Sequence, residues 1–246
     1  MQDDFKKIYD FCESIPGAFE PQSLSIFITI SRLCSDDVSS AIEFGVLHGK
    51  SASALVHSYR DITLVDKNIP TYINQLKEYN PSNSVNFVES WSSEFLENIK
   101  FDNKFSFCHI DTSHYFDDTV NEFSKMTTHM TDLGVIVLDD WNDMYQQVRA
   151  GYFYSRYKNN VEWDVFLVAH NKAYLCKKDM LSFYLSKVST IKANLDNLGY
   201  KSQLIRTDDN PLYCPFYLRP LKQMDEEYYG TVTYGDRFFK ILEKTF

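Results

Sequence analysis

Three carboxylates follow two short apolar segments that have the pattern of buried strands. Asp111 comes directly after the segment 105–110, and Asp139 and Asp140 come directly after 135–138. If these segments are neighbouring parallel strands, their carboxyl ends meet at one edge of a sheet, where ligands of open α/β folds bind. Carboxylates so close together repel each other and need a counter-charge. Oxygen ligands suit Mg²⁺, so we predict a magnesium site formed by Asp111, Asp139 and Asp140.

A histidine beside these acids is suited to proton transfer. His114 lies three residues after Asp111, and an imidazole with a pKa of about 6.5 can remove a proton at neutral pH. A magnesium ion that contacts a substrate hydroxyl would lower the pKa of that hydroxyl and orient it. We therefore predict that Asp111 and His114 are catalytic. The other histidines are expected to have ordinary surface or packing roles: His48, His57, His109, His129 and His170.

A loop with two glycines follows the first predicted strand and has the features of a cofactor-binding turn. Gly45 and Gly49 flank a tight turn, where a Cβ would collide with a ligand or with the turn itself. Ser51 lies at the start of the next helix, where backbone N–H groups favour a carboxylate. The spacing G-x-x-x-G after the acidic Glu43 differs from the G-x-G-x-x-G of dinucleotide-binding loops. It favours a ligand with an ammonium and a sulfonium over one with two phosphates.

The next two strand ends complete a nucleoside-binding pattern. Asp66 ends the second strand about 20 residues beyond the loop, where an acid can accept hydrogen bonds from ribose hydroxyls. Trp91 and Ser92 follow the third strand. Trp91 could stack on an adenine ring, and Ser92 could contact its amino edge. Asp111 lies beside the same site, so we count it among the cofactor-binding residues as well.

This ordered set of acid, glycines, second acid and two acidic strand ends resembles the class I S-adenosylmethionine (SAM)-dependent methyltransferases, over roughly residues 40–178. The resemblance implies that Glu43 faces the methionine amino group of SAM and that Asp66 binds its ribose. It also implies an α/β fold with a doubly wound, Rossmann-like, seven-stranded methyltransferase sheet, an N-terminal helical lead-in and a C-terminal extension.

Within that class the sequence is most similar to the metal-dependent sugar O-methyltransferases of the macrocin O-methyltransferase type. Those enzymes have an Ile-Asp-x-x-His segment and a later Asp-Asp pair in the same order. The resemblance implies that His114 is the base, that the three acids hold Mg²⁺, and that a saccharide or another small molecule is the methyl acceptor. The sequence departs from the common pattern at Thr112, where glycine is frequent, and at residues 132–134, where a Pro-Gly-Gly turn is usual.

Other interpretations remain open at this point. Taken singly, the glycines could only shape a turn, Asp66 could cap a helix, and Trp91 could belong to the core. Asp111 and Asp139 could cap loops without any metal. The chain could also be a non-catalytic SAM-binding or scaffold protein. An NAD-linked oxidoreductase is disfavoured because the third glycine of the dinucleotide motif is missing.

Short apolar runs that alternate with amphipathic stretches indicate the elements that hold these residues. The strands are predicted at 41–44, 62–65, 85–88, 105–110 and 135–138, with helices near 50–58, 70–79, 92–99 and 116–129. Strands without polar alternation indicate a parallel sheet covered on both faces. A hairpin with its turn at His170-Asn171 is predicted at the far edge of the sheet.

The segments outside this core are predicted as attachments to it. We divide the chain into a helical lead-in or lid at 1–38, a SAM-binding core at 39–178, and a C-terminal extension at 179–246. Within the lead-in, apolar residues at helical spacing predict two helices over 4–35, separated by a break at Pro16-Gly17. The extension begins with a helix at 180–198, and its aromatic tail from 200 onward is expected to act as a lid or an oligomer contact.

Composition limits the possible partners. The net charge is −9, and no run of Lys or Arg suggests binding to nucleic acid. The five cysteines are scattered and lack metal or disulfide spacing, which fits a reducing compartment. No segment approaches the roughly 20 apolar residues of a membrane span. We therefore expect a cytoplasmic protein. We also expect that it can form homo-oligomers.

Overall fold

The fold is described from a computed structural model that covers residues 2–17, 19–35, 40–79, 82–100, 104–142, 144–197, 202–205 and 216–220. The predicted boundary at 38/39 and most of the aromatic tail, including Cys214, lie outside these residues. None of the helices in the described ranges has the length and apolar character needed to cross a membrane.

Two helices form the N-terminal lead-in, as predicted. Helix α1 spans Gln2–Ser14 and helix α2 spans Pro21–Cys34. Pro21 occupies the first turn of α2, where a missing backbone N–H costs nothing and the fixed φ suits a helix. Most of α2 is buried, so the lead-in is part of the core and not a detached cover.

Strands and helices then alternate along the chain, as the apolar runs predict. The elements are β1 (Ser40–Phe44), α3 (Lys50–Leu55), β2 (Asp61–Asp66), α4 (Ile73–Tyr79), β3 (Ser84–Glu89), α5 (Ser92–Asn98), β4 (Phe105–Ile110), α6 (Phe116–Met126), β5 (Met130–Leu138), α7 (Gln147–Tyr157), β6 (Trp163–Ala169), β7 (Lys172–Lys177), α8 (Leu181–Asn197), β8 (Ser202–Ile205) and β9 (Phe216–Pro220).

The strands form one mixed sheet in the order β3-β2-β1-β4-β5-β7-β6-β9-β8. The first five are parallel, and β7 is antiparallel to both β5 and β6. These seven strands are the predicted doubly wound, Rossmann-like sheet. The strand order reverses between β1 and β4, so the loops after these two strands flank the position at which such folds bind ligands.

Three details differ from the sequence prediction. The β6–β7 hairpin turns at His170-Asn171 as expected, but it is not the sheet edge, because β9 pairs with β6 and β8 with β9. Helix α7 was not predicted. Strand β5 begins at Met130, so residues 132–134 lie within the strand, at a shift in its register with β4.

Apolar side chains cover both faces of the sheet. One buried cluster joins the lead-in helices, α3 and α8 to residues such as Phe107 and Val137. The other joins α6 and α7 to residues on the opposite face, such as Cys108 and Ile136. Neighbouring residues of one strand therefore belong to different clusters, which explains why the central strands are apolar without alternation.

Candidate active site at the carboxyl edge of the sheet

The carboxyl ends of the central strands are held in register by backbone hydrogen bonds that continue past the strands. Asp111 N donates to Phe44 O at 2.9 Å, and Asp139 N donates to Ile110 O at 3.0 Å. The acids that follow β4 and β5 therefore lie next to each other and next to the turn after β1, as the sequence predicts.

That turn requires glycine at its first position. Gly45 has φ +80°, and a Cβ built on it would lie 1.8 Å from the carbonyl oxygen of Asp111, so no side chain fits. The turn is fixed from the other side by Asp66, whose Oδ2 accepts hydrogen bonds from Val46 N (2.7 Å) and Leu47 N (3.1 Å). Asp66 thus shapes the loop, and its oxygens keep lone pairs for a further donor.

A cavity of about 590 Å³ opens beside this turn, a volume within the range of small-molecule and cofactor sites. Five of the predicted cofactor-binding residues line it: Gly45, Asp66, Trp91, Ser92 and Asp111. Trp91 is 57% exposed, and Lys67 Nζ lies 4.9 Å from the centre of its ring. The cavity therefore collects the residues that were predicted to contact a nucleoside.

The other three predicted cofactor-binding residues do not line this cavity. Among the described residues, Glu43, Gly49 and Ser51 are not part of its lining. Glu43 is fully buried, and its Oε1 accepts hydrogen bonds from Ser51 Oγ and from His109 Nδ1, the latter at 2.7 Å. Glu43 Oε2 is buried and has no hydrogen-bond partner within the described part of the chain.

The structure places a histidine in the group of side chains best suited to hold a metal. Ligand atoms of His109, Asp111 and Asp139 all lie within 4.8 Å of one another. His109 Nε2 is buried without a hydrogen-bond partner among the described residues and lies 4.0 Å from Asp139 Oδ2. Asp140, which we predicted as a metal ligand, is not in this group.

Lys172, at the start of β7, brings a positive charge to these acids. Its ammonium is buried and contacts Asp139 Oδ2, and it lies 4.3 Å from the ring centre of Phe19. Burial raises the pKa of Asp139, but Lys172 and His109 together hold it well below its usual range. Burial and the nearby Asp139 raise the pKa of Asp111.

His114 bridges the other two carboxylates. Its Nε2 lies 3.0 Å from Asp111 Oδ1, and its Nδ1 lies 2.7 Å from Asp140 Oδ2. Burial lowers the pKa of His114, but hydrogen bonds to the two carboxylates overcome this and raise it to about 10. In this arrangement His114 is an imidazolium at neutral pH. Asp140 also accepts a hydrogen bond from Asn171 Nδ2 at 2.6 Å.

A second buried carboxylate lines the cavity at its Ser92 end. Glu122, on α6, is 1% exposed and accepts hydrogen bonds from Ser92 Oγ and from Thr112 Oγ1, the latter at 2.9 Å. Burial, partly offset by these two hydrogen bonds, raises the pKa of Glu122 to about 7.

Sequence reasoning passed over three of these residues. From the sequence we expect an ordinary role for His109, although it directly precedes Ile110 and Asp111 in a strand that is otherwise apolar or small. That position was a usable signal. Lys172 reaches the site from the β6–β7 hairpin and Glu122 from α6. The packing of these elements against the site cannot be predicted from a local sequence pattern.

Residues 42–141 match the sequence model of a family described as a methyltransferase domain. Two solved structures share the fold. TDP-rhamnose 3′-O-methyltransferase CalS11 of calicheamicin biosynthesis is 14% identical, with 62% of this chain and 78% of that chain covered and a TM-score of 0.50. An O-methyltransferase from Bacillus cereus, in complex with SAH, is 13% identical, with 70% and 90% covered and a TM-score of 0.51.

No curated protein sequence matches the chain. The sheet and the site at its carboxyl edge define a Rossmann-like α/β protein. The chain has the fold that the resemblance to the class I SAM-dependent methyltransferases predicts, and its residues 42–141 match a methyltransferase domain.

Proposed function

We propose that the chain transfers a methyl group from SAM to a hydroxyl of a sugar or another glycan-related small molecule, with assistance from a divalent metal. The observation that carries the proposal is the position of one cavity. The Gly45 turn and Asp111 both line it, so a cofactor bound there lies directly beside the carboxylate cluster.

The residues around the cavity fit SAM. Gly45 allows the turn to lie against the backbone of Asp111, where a Cβ would be 1.8 Å from the Asp111 carbonyl oxygen, and Trp91 offers an aromatic face to the cavity. Glu43 does not line the cavity, but its Oε2 is buried and unpaired within the described residues, and such an acceptor would be stabilised by a cationic donor such as the SAM ammonium. Bound SAM would supply a methyl group on a positively charged sulfur.

The carboxylate cluster fits a divalent cation. His109 Nε2 is a buried nitrogen without a partner in the described structure, and Asp111 and Asp139 add carboxylate oxygens within reach of the same point. This set of one imidazole and two carboxylates replaces the three acids that the sequence predicts. A cation there would lower the pKa of an acceptor hydroxyl that it contacts.

The chain's own residues hold the groups that would handle the proton. Asp111 contacts one ring nitrogen of His114 and Asp140 contacts the other, and these two contacts keep the imidazole cationic. For the predicted role as a base, His114 must first lose that proton. Any ligand that engages Asp111 in place of His114 weakens one of the two contacts that raise its pKa, and so favours the neutral imidazole.

The proposed acceptor is a sugar hydroxyl. CalS11, which shares the fold, is a TDP-rhamnose 3′-O-methyltransferase, and this supports a sugar hydroxyl here. Tyr115, exposed next to His114, offers an aromatic face at the mouth of the site. The division into a lead-in at 1–38, a core at 39–178 and an extension at 179–246 belongs to the same proposal.

The alternative is a non-catalytic protein that keeps the SAM cavity. Titration calorimetry with S-adenosylhomocysteine, followed by methyl transfer from labelled SAM to a panel of nucleotide sugars, separates the two. We expect binding, transfer that depends on added Mg²⁺ or Mn²⁺, and a His114→Ala variant with lower turnover but unchanged affinity. Binding without transfer to any hydroxyl acceptor would favour the alternative, and absence of binding would exclude both.

Trp91→Ala tests the location of the cofactor. Loss of aromatic stacking on a base lowers affinity by about 10- to 100-fold, and Trp91 is exposed enough that the fold should tolerate the change. Tyr157→Ala is the matched control, because Tyr157 is 66% exposed and is not among the residues that line the cavity. Equal affinities of the two variants would place the nucleoside elsewhere.

A further inference from the structure

Glu122 has no part in the mechanism above, yet it is a buried acid in the wall of the proposed cofactor cavity. Two hydroxyls of the same wall, on Ser92 and Thr112, point their hydrogen bonds at its two carboxylate oxygens. The three side chains come from α5, the segment after β4, and α6. Distant parts of the chain thus meet at one polar patch.

An ionised carboxylate can only accept hydrogen bonds, so both hydroxyls must donate their single proton to Glu122. Each hydroxyl oxygen then has lone pairs left but no proton to offer to the cavity. The patch as a whole presents hydrogen-bond acceptors to a ligand. Ser and Thr hydroxyls that were not bound to Glu122 could rotate and act either as donors or as acceptors.

We propose that Glu122 makes the cavity selective for the 6-amino group of adenine by fixing the Ser92 and Thr112 hydroxyls as hydrogen-bond acceptors. This inference rests on the proposed SAM function and adds a base-reading device to it. An amino group at position 6 of the purine donates to such acceptors. A carbonyl at that position, as in hypoxanthine, places its lone pairs against those of the two hydroxyl oxygens, and this contact is repulsive. Glu122 acts through the two hydroxyls, so it is a positioning residue.

The test compares S-adenosylhomocysteine with S-inosylhomocysteine, which carries the carbonyl in place of the amino group, by titration calorimetry at pH 8.5. At that pH a carboxyl with a pKa of about 7 is ionised. We expect the wild-type protein to prefer the adenosyl compound by at least about tenfold, because a mispaired buried polar group is costly.

Glu122→Gln should bring this preference down to about threefold or less. The Gln side chain has one accepting oxygen and one donating nitrogen, so the hydroxyl next to the nitrogen becomes an acceptor from it and can turn its own proton to the cavity. Ser92→Ala is a second test, which remains informative if Glu122→Gln does not fold. It deletes one acceptor, so it should also lower the preference for the adenosyl compound.

Asp118→Asn is the matched control. Asp118 lies one helical turn before Glu122, lines the same cavity and accepts a hydrogen bond from Ser113 Oγ, but it is exposed to solvent. We expect this variant to keep the wild-type preference. If Glu122→Gln and Ser92→Ala keep the wild-type preference, or if the wild type binds both compounds equally, the inference is overturned while SAM binding stands. If the wild type binds neither compound, the proposed function fails and this inference fails with it.

Discussion

Lys172 and His114 each place a positive charge against the acids that follow β4 and β5. Lys172 contacts Asp139, and His114 lies between Asp111 and Asp140. From the sequence, Mg²⁺ was the obvious source of the counter-charge that three clustered acids need. The chain supplies much of that charge itself, so charge balance alone does not argue for a metal. His109 Nε2 does, because it is buried and has no hydrogen-bond partner among the residues that the structure describes.

Replacing Lys172 by methionine should destabilise the fold strongly. The change keeps most of the side-chain volume but leaves Asp139 buried without its ammonium partner, and breaking such a pair costs about 3–5 kcal/mol. Denaturant unfolding measures the loss. Lys177→Met is the matched control on the same strand, because its partner Asp132 is exposed, and we expect no measurable change there. Similar losses in the two variants would mean that the Lys172 pair adds nothing specific.

Elements were predictable where one apolar run ends in one acid. The strands before Asp66, Asp111 and Asp139 were found for this reason, because both the buried run and the polar residue at its end are local. The two lead-in helices and the β6–β7 hairpin were found from Pro-Gly and turn signals in the same way.

Helix α7 was missed because its surface does not follow the simple amphipathic pattern. Phe153, Tyr154 and Tyr157 are exposed aromatics on this helix, while Gly151, a poor helix former, lies at its centre and is buried. The glycine is there for packing: a Cβ on it would lie 2.9 Å from the Cβ of Thr119 on α6. Contacts between helices distant in sequence leave no local signature.

Gly151→Leu should therefore push α6 and α7 apart. Overpacking of a tight contact costs about 1–3 kcal/mol, and the displacement of α6 should also weaken S-adenosylhomocysteine binding, because α6 carries Glu122. The control is Ala150→Leu, at the preceding and solvent-exposed position of the same helix, where leucine should be tolerated. The close approach of the two helices would be refuted if both variants unfold at the same denaturant concentration.

The complete sheet brings together residues that lie far apart in the chain. The turn after β1 and the acid after β4 are 66 residues apart at Gly45 and Asp111, yet their backbones approach so closely that no Cβ fits between them. Strand order alone predicts that they are neighbours. The identity of the buried partners, Lys172 for Asp139 and the two hydroxyls for Glu122, follows only from packing in three dimensions, and that is why the site was predicted in outline and not in its charges.

Ionisation of Glu122 should make the free energy of unfolding of the whole molecule depend on pH. Its pKa rises on folding from an ordinary value of 4.5 to about 7, mainly through burial. The folded state therefore binds this proton more tightly, so the stabilisation is present below pH 4.5 and is lost as the pH rises through 7. The difference between these two pKa values corresponds to a free energy on the order of 3 kcal/mol.

Glu122→Gln removes this contribution, because glutamine has no proton to lose and the groups that do not interact with position 122 titrate alike in both proteins. The free energy of unfolding of the variant, relative to that of the wild type, should rise by on the order of 3 kcal/mol between pH 4.5 and pH 8. Urea unfolding at several pH values measures this difference. A difference that stays constant with pH would show that Glu122 ionises as easily in the folded protein as in the unfolded chain, and would contradict the picture of a dry carboxylate held between two hydroxyls.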